Sequence, residues 1–282
     1  MSTTTTTIIR PPAPQNLPSH PCLGHRLPMS ERLSGQRVWV SGGSRGIGRA
    51  IALACAEAGA HVIITSRQQE GCDEVAAEIN ALRPGAAIAR VCHAGQVEAI
   101  GELVQWMEDH VGVPDVLVNN AATNPYFGPL LNTPPSMWDK TFEVNVRGYF
   151  EATKQVVTRL LAANRPGAVI NVASIQGHRG APLQGVYGMT KAAVISMTRT
   201  LAVELGRANI RVNAIAPGLV DTRFASALTN DPEQSRSYTD RAALGRYAKP
   251  NEIAGLAVYL ASNEATYVTG QVFTIDGGYT AT

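Results

Sequence analysis

The chain has 282 residues, of which 45% are hydrophobic, and its formal net charge at pH 7 is +2. That length and apolar content suffice for one large core. The near-balanced charge excludes nucleic acid or a membrane surface as an electrostatically selected partner. No apolar run reaches the roughly 20 residues that a membrane-spanning helix needs. The four cysteines lack the paired spacing of zinc or redox sites, so we expect no metal and a reduced, cytoplasmic protein.

Residues 1–32 differ in composition from everything that follows. Thr3 to Thr7 is a homopolymer, and six prolines lie between Pro11 and Pro28. Such a segment cannot bury enough apolar surface to offset the entropy lost on folding. We predict a disordered N-terminal extension over residues 1–32 and a single domain over residues 33–282. Met29 would also make a natural translation start.

From Arg37 onward, short apolar runs alternate with longer amphipathic ones. The predicted strands are Arg37–Ser41, His61–Thr65, Ala87–Cys92, Val116–Asn119, Ala168–Val172, Arg211–Ala216 and Gln271–Ile275. The predicted helices are Ile47–Ala58, Cys72–Leu82, Glu98–His110, Ser136–Ala163, Val186–Leu205 and Asn251–Ala261. Short, nearly all-apolar strands that alternate with helices are typical of a parallel sheet covered on both faces. We therefore predict one doubly wound α/β domain of the Rossmann type, with a seven-stranded parallel sheet.

One long polar stretch, residues 221–250, interrupts this alternation after the sixth predicted strand. Ligands bind at the carboxyl edge of an open parallel sheet, where this stretch begins. We expect an irregular segment that acts as a mobile lid over the site.

A glycine-rich turn lies between the first predicted strand and the first predicted helix. It reads Ser41-Gly42-Gly43-Ser44-Arg45-Gly46-Ile47-Gly48. Glycines at such a turn allow the backbone to approach a pyrophosphate, and the free N–H groups of the helix N-terminus bind the phosphates. The position favours a dinucleotide-binding site.

A second pattern joins Ser174, Tyr187 and Lys191. Tyr187 and Lys191 are four residues apart on a predicted helix, which places them on one face. An ammonium group beside a phenol favours the phenolate, so the pair could exchange protons with a carbonyl or alcohol oxygen.

Together these residues resemble the short-chain dehydrogenase/reductase family, and the resemblance covers Leu33 to Tyr279. Further family motifs follow in order: Asn119-Asn120-Ala121-Ala122, Asn145, Pro217-Gly218 and Asp276-Gly277-Gly278. The resemblance implies that Tyr187 is the acid/base, that Ser174 holds the substrate oxygen, and that Lys191 lowers the phenol pKa and binds the nicotinamide ribose. It also implies that Asn145 holds a water that connects Lys191 to solvent.

The cofactor implied by this resemblance is NADP(H). The second predicted strand ends Thr65-Ser66-Arg67, without the acidic residue that usually holds the ribose of NAD. Arg67 and Arg45 could clamp a 2′-phosphate, with Ser44 and Ser66 beside them. The resemblance implies a cofactor site formed by Gly42, Ser44, Arg45, Gly46, Ile47, Gly48, Ser66, Arg67, His93, Asn120, Ala121, Tyr187, Lys191, Pro217, Gly218, Val220 and Thr222.

His93 departs from the family pattern, because it stands where the family usually has an aspartate that contacts adenine. His93 could stack on the base or hydrogen-bond it, or it could be an ordinary loop residue. Ala122 likewise replaces the usual glycine.

The resemblance further implies a homotetramer or a homodimer, in which the helices over 136–163 and 186–205 form a four-helix contact. Residues 92–95 and 119–128 resemble NADPH-dependent carbonyl reductases of the family, so a small ketone or aldehyde is the expected substrate. Arg179 could meet an anionic substrate. The alternatives left open are a 3-oxoacyl-[acyl-carrier-protein] reductase and a non-catalytic NADP-binding regulator; an enoyl reductase would space its tyrosine and lysine more widely.

Overall fold

The computed structural model describes residues 28–229 and 231–281. Within them lies a seven-stranded parallel sheet of order β3-β2-β1-β4-β5-β6-β7. The strands are β1 Arg37–Ser41, β2 His61–Ser66, β3 Ala87–Val91, β4 Val116–Asn119, β5 Gly167–Val172, β6 Ile210–Pro217 and β7 Val272–Ile275. The helices are α1 Gly46–Glu57, α2 Gln69–Leu82, α3 Val97–His110, α4 Pro135–Phe142, α5 Gly148–Ala162, α6 Gly185–Leu205, α7 Ser226–Thr229, α8 Pro232–Thr239 and α9 Asn251–Ala261. The predicted fold class is confirmed, and the predicted bounds differ by one to three residues at several ends.

Alternate strand residues enter two cores on opposite faces of the sheet. Val38 and Val40 of β1 pack with α1, α2 and α9, whereas Trp39 between them packs with α3 and α5. β4 and all of β1 except Arg37 are buried at the centre of the sheet, because both faces are covered in this way.

The predicted helix over 136–163 is wrong in one respect, because a π-helical turn at Glu143–Arg147 separates α4 from α5. At the junction, a side chain on Gly148 would clash with the carbonyl oxygen of Ala94. Such π turns are frequent at functional sites, and this one contains Asn145.

The stretch 221–250 is also more regular than predicted. It contains a 3₁₀ turn at Arg223–Ala225 followed by α7 and α8. Local caps explain the difference: Thr222 Oγ1 accepts from Ala225 N–H at 3.3 Å, and Asp231 Oδ1 accepts from Glu233 N–H at 2.9 Å. Sequence periodicity alone does not detect helices this short.

Residues 1–27 of the predicted extension lie outside the described residues. Its last residues contact the domain: Met29–Glu31 form a 3₁₀ turn and Arg32 pairs with Glu264 at 3.2 Å. Packing therefore begins before Leu33, the predicted domain start, which is itself fully buried. In the described part of the chain, no helix is long and apolar enough to cross a membrane.

Candidate active site

One cavity of about 490 Å³ lies along the carboxyl edge of the sheet. Its walls come from the segments that follow β1 to β6, so residues far apart in sequence converge there. Nearly all the predicted site residues line it; the exceptions are Gly48 and Asn145, which are buried behind its walls.

The glycine turn approaches the β4 loop more closely than any side chain would permit. Gly42 has a φ of +71°, and a Cβ there would lie 2.7 Å from Cα of Ala121. A Cβ on Gly48 would clash with the Gly42 carbonyl oxygen, which accepts a hydrogen bond from Asn120 Nδ2 at 2.9 Å. This backbone cradle at the N-terminus of α1 fits a pyrophosphate.

Two arginines flank the cradle. Arg45 and Arg67 are both exposed and line the cavity together with Ser44 and Ser66. Within residues 28–229 and 231–281, neither guanidinium has a hydrogen bond or ion pair to the protein. Two unpaired cations at this point could hold a further phosphate.

Ser174, Tyr187 and Lys191 form one wall of the same cavity. The exposed fraction of each residue is small: 8% for Ser174, 9% for Tyr187 and 1% for Lys191. Lys191 Nζ lies 5.5 Å from the centre of the Tyr187 ring and donates to the carbonyl oxygen of Val172 at 2.7 Å. Ser174 Oγ also accepts from Gln176 N–H at 3.2 Å and so caps the 3₁₀ turn at Ile175–Gly177.

Burial dominates the titration of this pair. It raises the pKa of Tyr187 to about 12, an effect that the hydrogen bond with Ser174 opposes, and it lowers the pKa of Lys191 to about 7. The sequence-based expectation that Lys191 lowers the phenol pKa is therefore not what this structure gives. The physical reason is that the same burial disfavours the ammonium form that would exert the effect.

The side chain of Asn145 hydrogen-bonds the π turn to Thr123 after β4 and to Thr190 of α6. Its Nδ2 donates to the carbonyl oxygen of Thr123 at 2.9 Å and to Thr190 Oγ1 at 3.1 Å, and its Oδ1 accepts from Thr123 N–H at 2.8 Å. Both N–H bonds of the amide are used. A water between Asn145 and Lys191 would therefore have to be held by an acceptor atom.

Sequence reasoning missed the groups that hold these residues. Tyr149 lies 3.4 Å from Lys191 Nζ and donates to the carbonyl oxygen of Val172, and Thr190 Oγ1 donates to the carbonyl oxygen of Tyr187. Tyr149 follows Asn145 by four residues, so helical spacing was a usable signal. For Thr123 and Thr190 the sequence offered none.

Three residues near Tyr187 lie where they could contact the substrate, whereas the predicted Arg179 does not. Asn124, Phe127 and Phe224 line the cavity, and the Phe224 ring lies 5.8 Å from that of Tyr187. Arg179 is not among the lining residues; its guanidinium lies over the ring of Tyr279 at 5.1 Å.

Comparison with known proteins shows that the chain belongs to the short-chain dehydrogenase/reductase family, a family of oxidoreductases. A family model described as Enoyl-(Acyl carrier protein) reductase matches residues 42–280.

Individual relatives agree with the family assignment. The chain is 37% identical over 240 residues to Dehydrogenase/reductase SDR family member 4 of Bos taurus, covering 85% of each chain. It is 40% identical over 248 residues to the 3-oxoacyl-[acyl-carrier-protein] reductase FabG of Thermotoga maritima, covering 88% of this chain and 98% of that one. Among solved structures, a gluconate 5-dehydrogenase from Burkholderia cenocepacia in complex with NADP and tartrate is similar at a TM-score of 0.85 and 31% identity, covering 90% and 98% of the two chains.

Proposed function

We propose that this protein is an NADP(H)-dependent oxidoreductase that interconverts a ketone or aldehyde and the corresponding alcohol. One observation carries the proposal: the Ser174, Tyr187 and Lys191 side chains form a buried wall of the same cavity whose other end is the glycine cradle with its two free arginines.

Each residue has a distinct task. When bound, the nicotinamide supplies hydride to the carbonyl carbon or accepts it from the alcohol. Tyr187 donates a proton to the carbonyl oxygen, and its raised pKa keeps it protonated at neutral pH, as reduction requires. Ser174 donates a hydrogen bond to the same oxygen and stabilises the charge that develops there.

Lys191 in the cavity wall and Asn145 behind it support this chemistry. Lys191, whose pKa is lowered to about 7, can exchange a proton near neutrality and so reload Tyr187. Asn145 fixes the π turn against α6 through Thr190.

NADP(H) is the preferred cofactor in this proposal. Arg45 and Arg67 supply two cations without protein partners among the described residues, and β2 ends without an acidic residue. The neighbouring structure from Burkholderia cenocepacia contains NADP.

The test is an NADPH-oxidation screen over ketones, aldehydes, 3-oxoesters and sugar acids, followed by Tyr187→Phe. The variant lacks only the proton donor, so we expect kcat to fall by at least about a hundredfold, with the Kd for NADP⁺ unchanged within about twofold. Tyr267→Phe, at a fully exposed tyrosine, is the matched control. Full turnover by Tyr187→Phe would overturn the proposed mechanism.

A second candidate is reduction of a 3-oxoacyl group tethered to an acyl-carrier protein. Among the described residues, every charged side chain that lines the cavity is cationic, including that of Arg223 at the lid, and an acidic carrier would be attracted to such a mouth. A 3-oxoacyl thioester that is reduced faster on the carrier than as a free thioester would favour this candidate. The four-residue step from Tyr187 to Lys191 disfavours an enoyl reductase.

Assembly into a homotetramer or homodimer is also part of the proposal. Trp138 of α4 and Phe150 of α5 expose 38% and 44% of their surface and line one shallow depression. Such an apolar face supports the four-helix contact expected from the family. A cytoplasmic location stays a prediction.

A further inference from the structure

Tyr149 is a buried phenol to which the proposed mechanism gives no task. It lies on α5, and only 1% of its surface is exposed. Its hydroxyl donates to the carbonyl oxygen of Val172 at 3.2 Å. The same carbonyl oxygen accepts from Lys191 Nζ at 2.7 Å, and Nζ also donates to the hydroxyl of Tyr149 at 3.4 Å. These three polar groups therefore form a closed triangle of hydrogen bonds.

The triangle leaves one N–H bond of Lys191 unused. An ammonium group has three N–H bonds. Two of them end on Val172 and Tyr149, and the third has no acceptor among the residues that the structure describes. Lys191 lines the cavity, whereas Tyr149 does not. The third N–H bond is therefore the one that a ligand in the cavity can use, and the triangle fixes its direction.

The ammonium group of Lys191 lies between two phenol rings. The ring centre of Tyr149 is 5.2 Å from Nζ on the α5 side, and that of Tyr187 is 5.5 Å away on the cavity side. Burial raises the pKa of both phenols, so both are neutral near pH 7. Burial is also what lowers the pKa of Lys191, and no charged side chain of the described elements packed against α6 contributes. The charged form therefore depends on neutral oxygen acceptors.

We propose that Tyr149 is a positioning residue for Lys191: its hydroxyl stabilises the ammonium form and holds the remaining N–H bond toward the cavity. Asn145 does not take this place, because its amide N–H bonds end on Thr123 and Thr190. For its effect on turnover, the inference rests on the proposed function, in which Lys191 reloads Tyr187. The effect on the protonation of Lys191 requires neither substrate nor cofactor.

Titration of Lys191 by nuclear magnetic resonance tests the proposal on the protein alone. Lysine labelled with carbon-13 at Cε gives few signals, because the lysines of the chain are Lys140, Lys154, Lys191 and Lys249. The spectrum of Lys191→Met assigns the signal of interest. Tyr149→Phe removes the hydroxyl and keeps the ring. Since one long hydrogen bond to a charged group is lost, the titration midpoint of Lys191 should fall by about 0.5–1 pH unit.

The pH profile of kcat for carbonyl reduction should move in the same direction. Because a deprotonated Lys191 cannot reload Tyr187, the alkaline loss of activity should begin at a lower pH in Tyr149→Phe, by a similar amount. Thr153→Val is the matched control. Thr153 lies one turn further along α5, is 2% exposed, and its hydroxyl accepts from Asn119 Nδ2 at 3.0 Å. The control also loses a buried hydroxyl of α5, but it should keep the wild-type midpoint and profile.

Three results would overturn the proposal. The first is a midpoint of Lys191 that stays unchanged or rises in Tyr149→Phe. The second is an equal shift in Thr153→Val, which would assign the effect to the packing of α5. The third concerns the wild type and does not depend on how the variants fold: it is the absence of a nuclear Overhauser effect between the Lys191 Cε protons and the Tyr149 ring. If the midpoint shifts as expected but the wild type reduces no carbonyl compound, the proposed function falls and the positioning role stands.

Discussion

Lys191 shows how burial turns a common residue into a proton-exchanging one. The residue is 1% exposed, and its ammonium group donates to one backbone carbonyl and to the hydroxyl of Tyr149. Removal from water disfavours the charged form, which lowers the pKa from 10.5 to about 7. Burial of Lys191 therefore costs the folded protein stability at neutral pH.

This cost predicts a pH dependence of folding. Between about pH 7 and 10.5 the unfolded chain binds more protons at Lys191 than the folded chain, so the free energy of unfolding should rise with pH. The slope from one such group is at most about 1.4 kcal/mol per pH unit. Lys191→Met should remove this contribution, which makes the variant relatively more stable at pH 7 than at pH 9.

Urea denaturation at pH 7, 8 and 9 measures the effect. The range stops below pH 10 because the raised pKa of Tyr187 acts with the opposite sign above that value. Lys249→Met, at an exposed lysine outside the cavity, should retain the wild-type slope. Identical slopes for wild type and Lys191→Met would contradict the prediction.

Arg67 should decide between the two nicotinamide cofactors. Charge-assisted hydrogen bonds contribute about 1.5–3 kcal/mol each, so Arg67→Ala should raise the KM for NADPH about tenfold or more and leave the KM for NADH nearly unchanged. Arg90→Ala is the control, because Arg90 lies over Trp106 at 3.8 Å and does not line the cavity. An equal rise of KM for NADPH and for NADH would argue against a contact between Arg67 and the 2′-phosphate.

At the scale of elements, two backbone irregularities build the site. The glycine turn lets α1 begin against the β4 loop, and the π turn directs Asn145 toward Thr123 and Thr190. Both are places where a regular element would have failed to bring the functional groups together.

Gly48→Ala tests the first of them. The added methyl would clash with the Gly42 carbonyl oxygen, and overpacking of this kind costs about 1–3 kcal/mol. We expect a lower melting temperature and weaker NADP⁺ binding. Gly255→Ala in α9, where a Cβ would meet nothing within 4 Å, should instead stabilise the protein by up to about 1 kcal/mol. A Gly48→Ala variant that is as stable as the wild type and binds NADP⁺ as tightly would refute the close approach of Gly48 to the Gly42 carbonyl oxygen.

At the scale of the whole molecule, the last residues connect the loops around the cavity mouth. The Tyr279 ring stacks on Tyr238 of α8 at 4.3 Å and lies beneath the guanidinium groups of Arg179 and Arg241, at 5.1 and 4.9 Å. Tyr238 in turn accepts from the N–H of Leu219 at 2.9 Å, within the cavity wall. The chain end therefore braces the lid against the sheet.

Tyr279→Ala should weaken the packing that holds the stretch 221–250 against the sheet. The lost ring contacts are worth on the order of 2 kcal/mol in total, so trypsin should cut the stretch 221–250 faster and the KM for the carbonyl substrate should rise. The Kd for NADP⁺ should change little, because the glycine cradle lies at the other end of the cavity. Tyr267→Ala, at a tyrosine fully exposed to solvent, is the control; equal proteolysis of the two variants would contradict a bracing role.

The extent of successful prediction follows from the range of the interactions involved. The seven strands and the glycine turn could be predicted because alternation and turn chemistry are local signals. The π turn within 136–163 could not, because its hydrogen bonds to Thr123 are long-range. The helices within 221–250 could not, because at 4 and 8 residues they are too short to show a clear periodicity.

The sequence by itself determined the fold class, the family, and the residue types able to move a proton and to hold a dinucleotide. Those properties depend on hydrophobic periodicity and on motif spacing, which are fully present in the order of the residues. Only the tertiary structure decided the directions in which the pKa values of Tyr187 and Lys191 shift and the hydrogen-bond partners of Asn145. Those properties depend on burial and on hydrogen bonds between segments that are distant in sequence. They therefore exist only once the chain is folded.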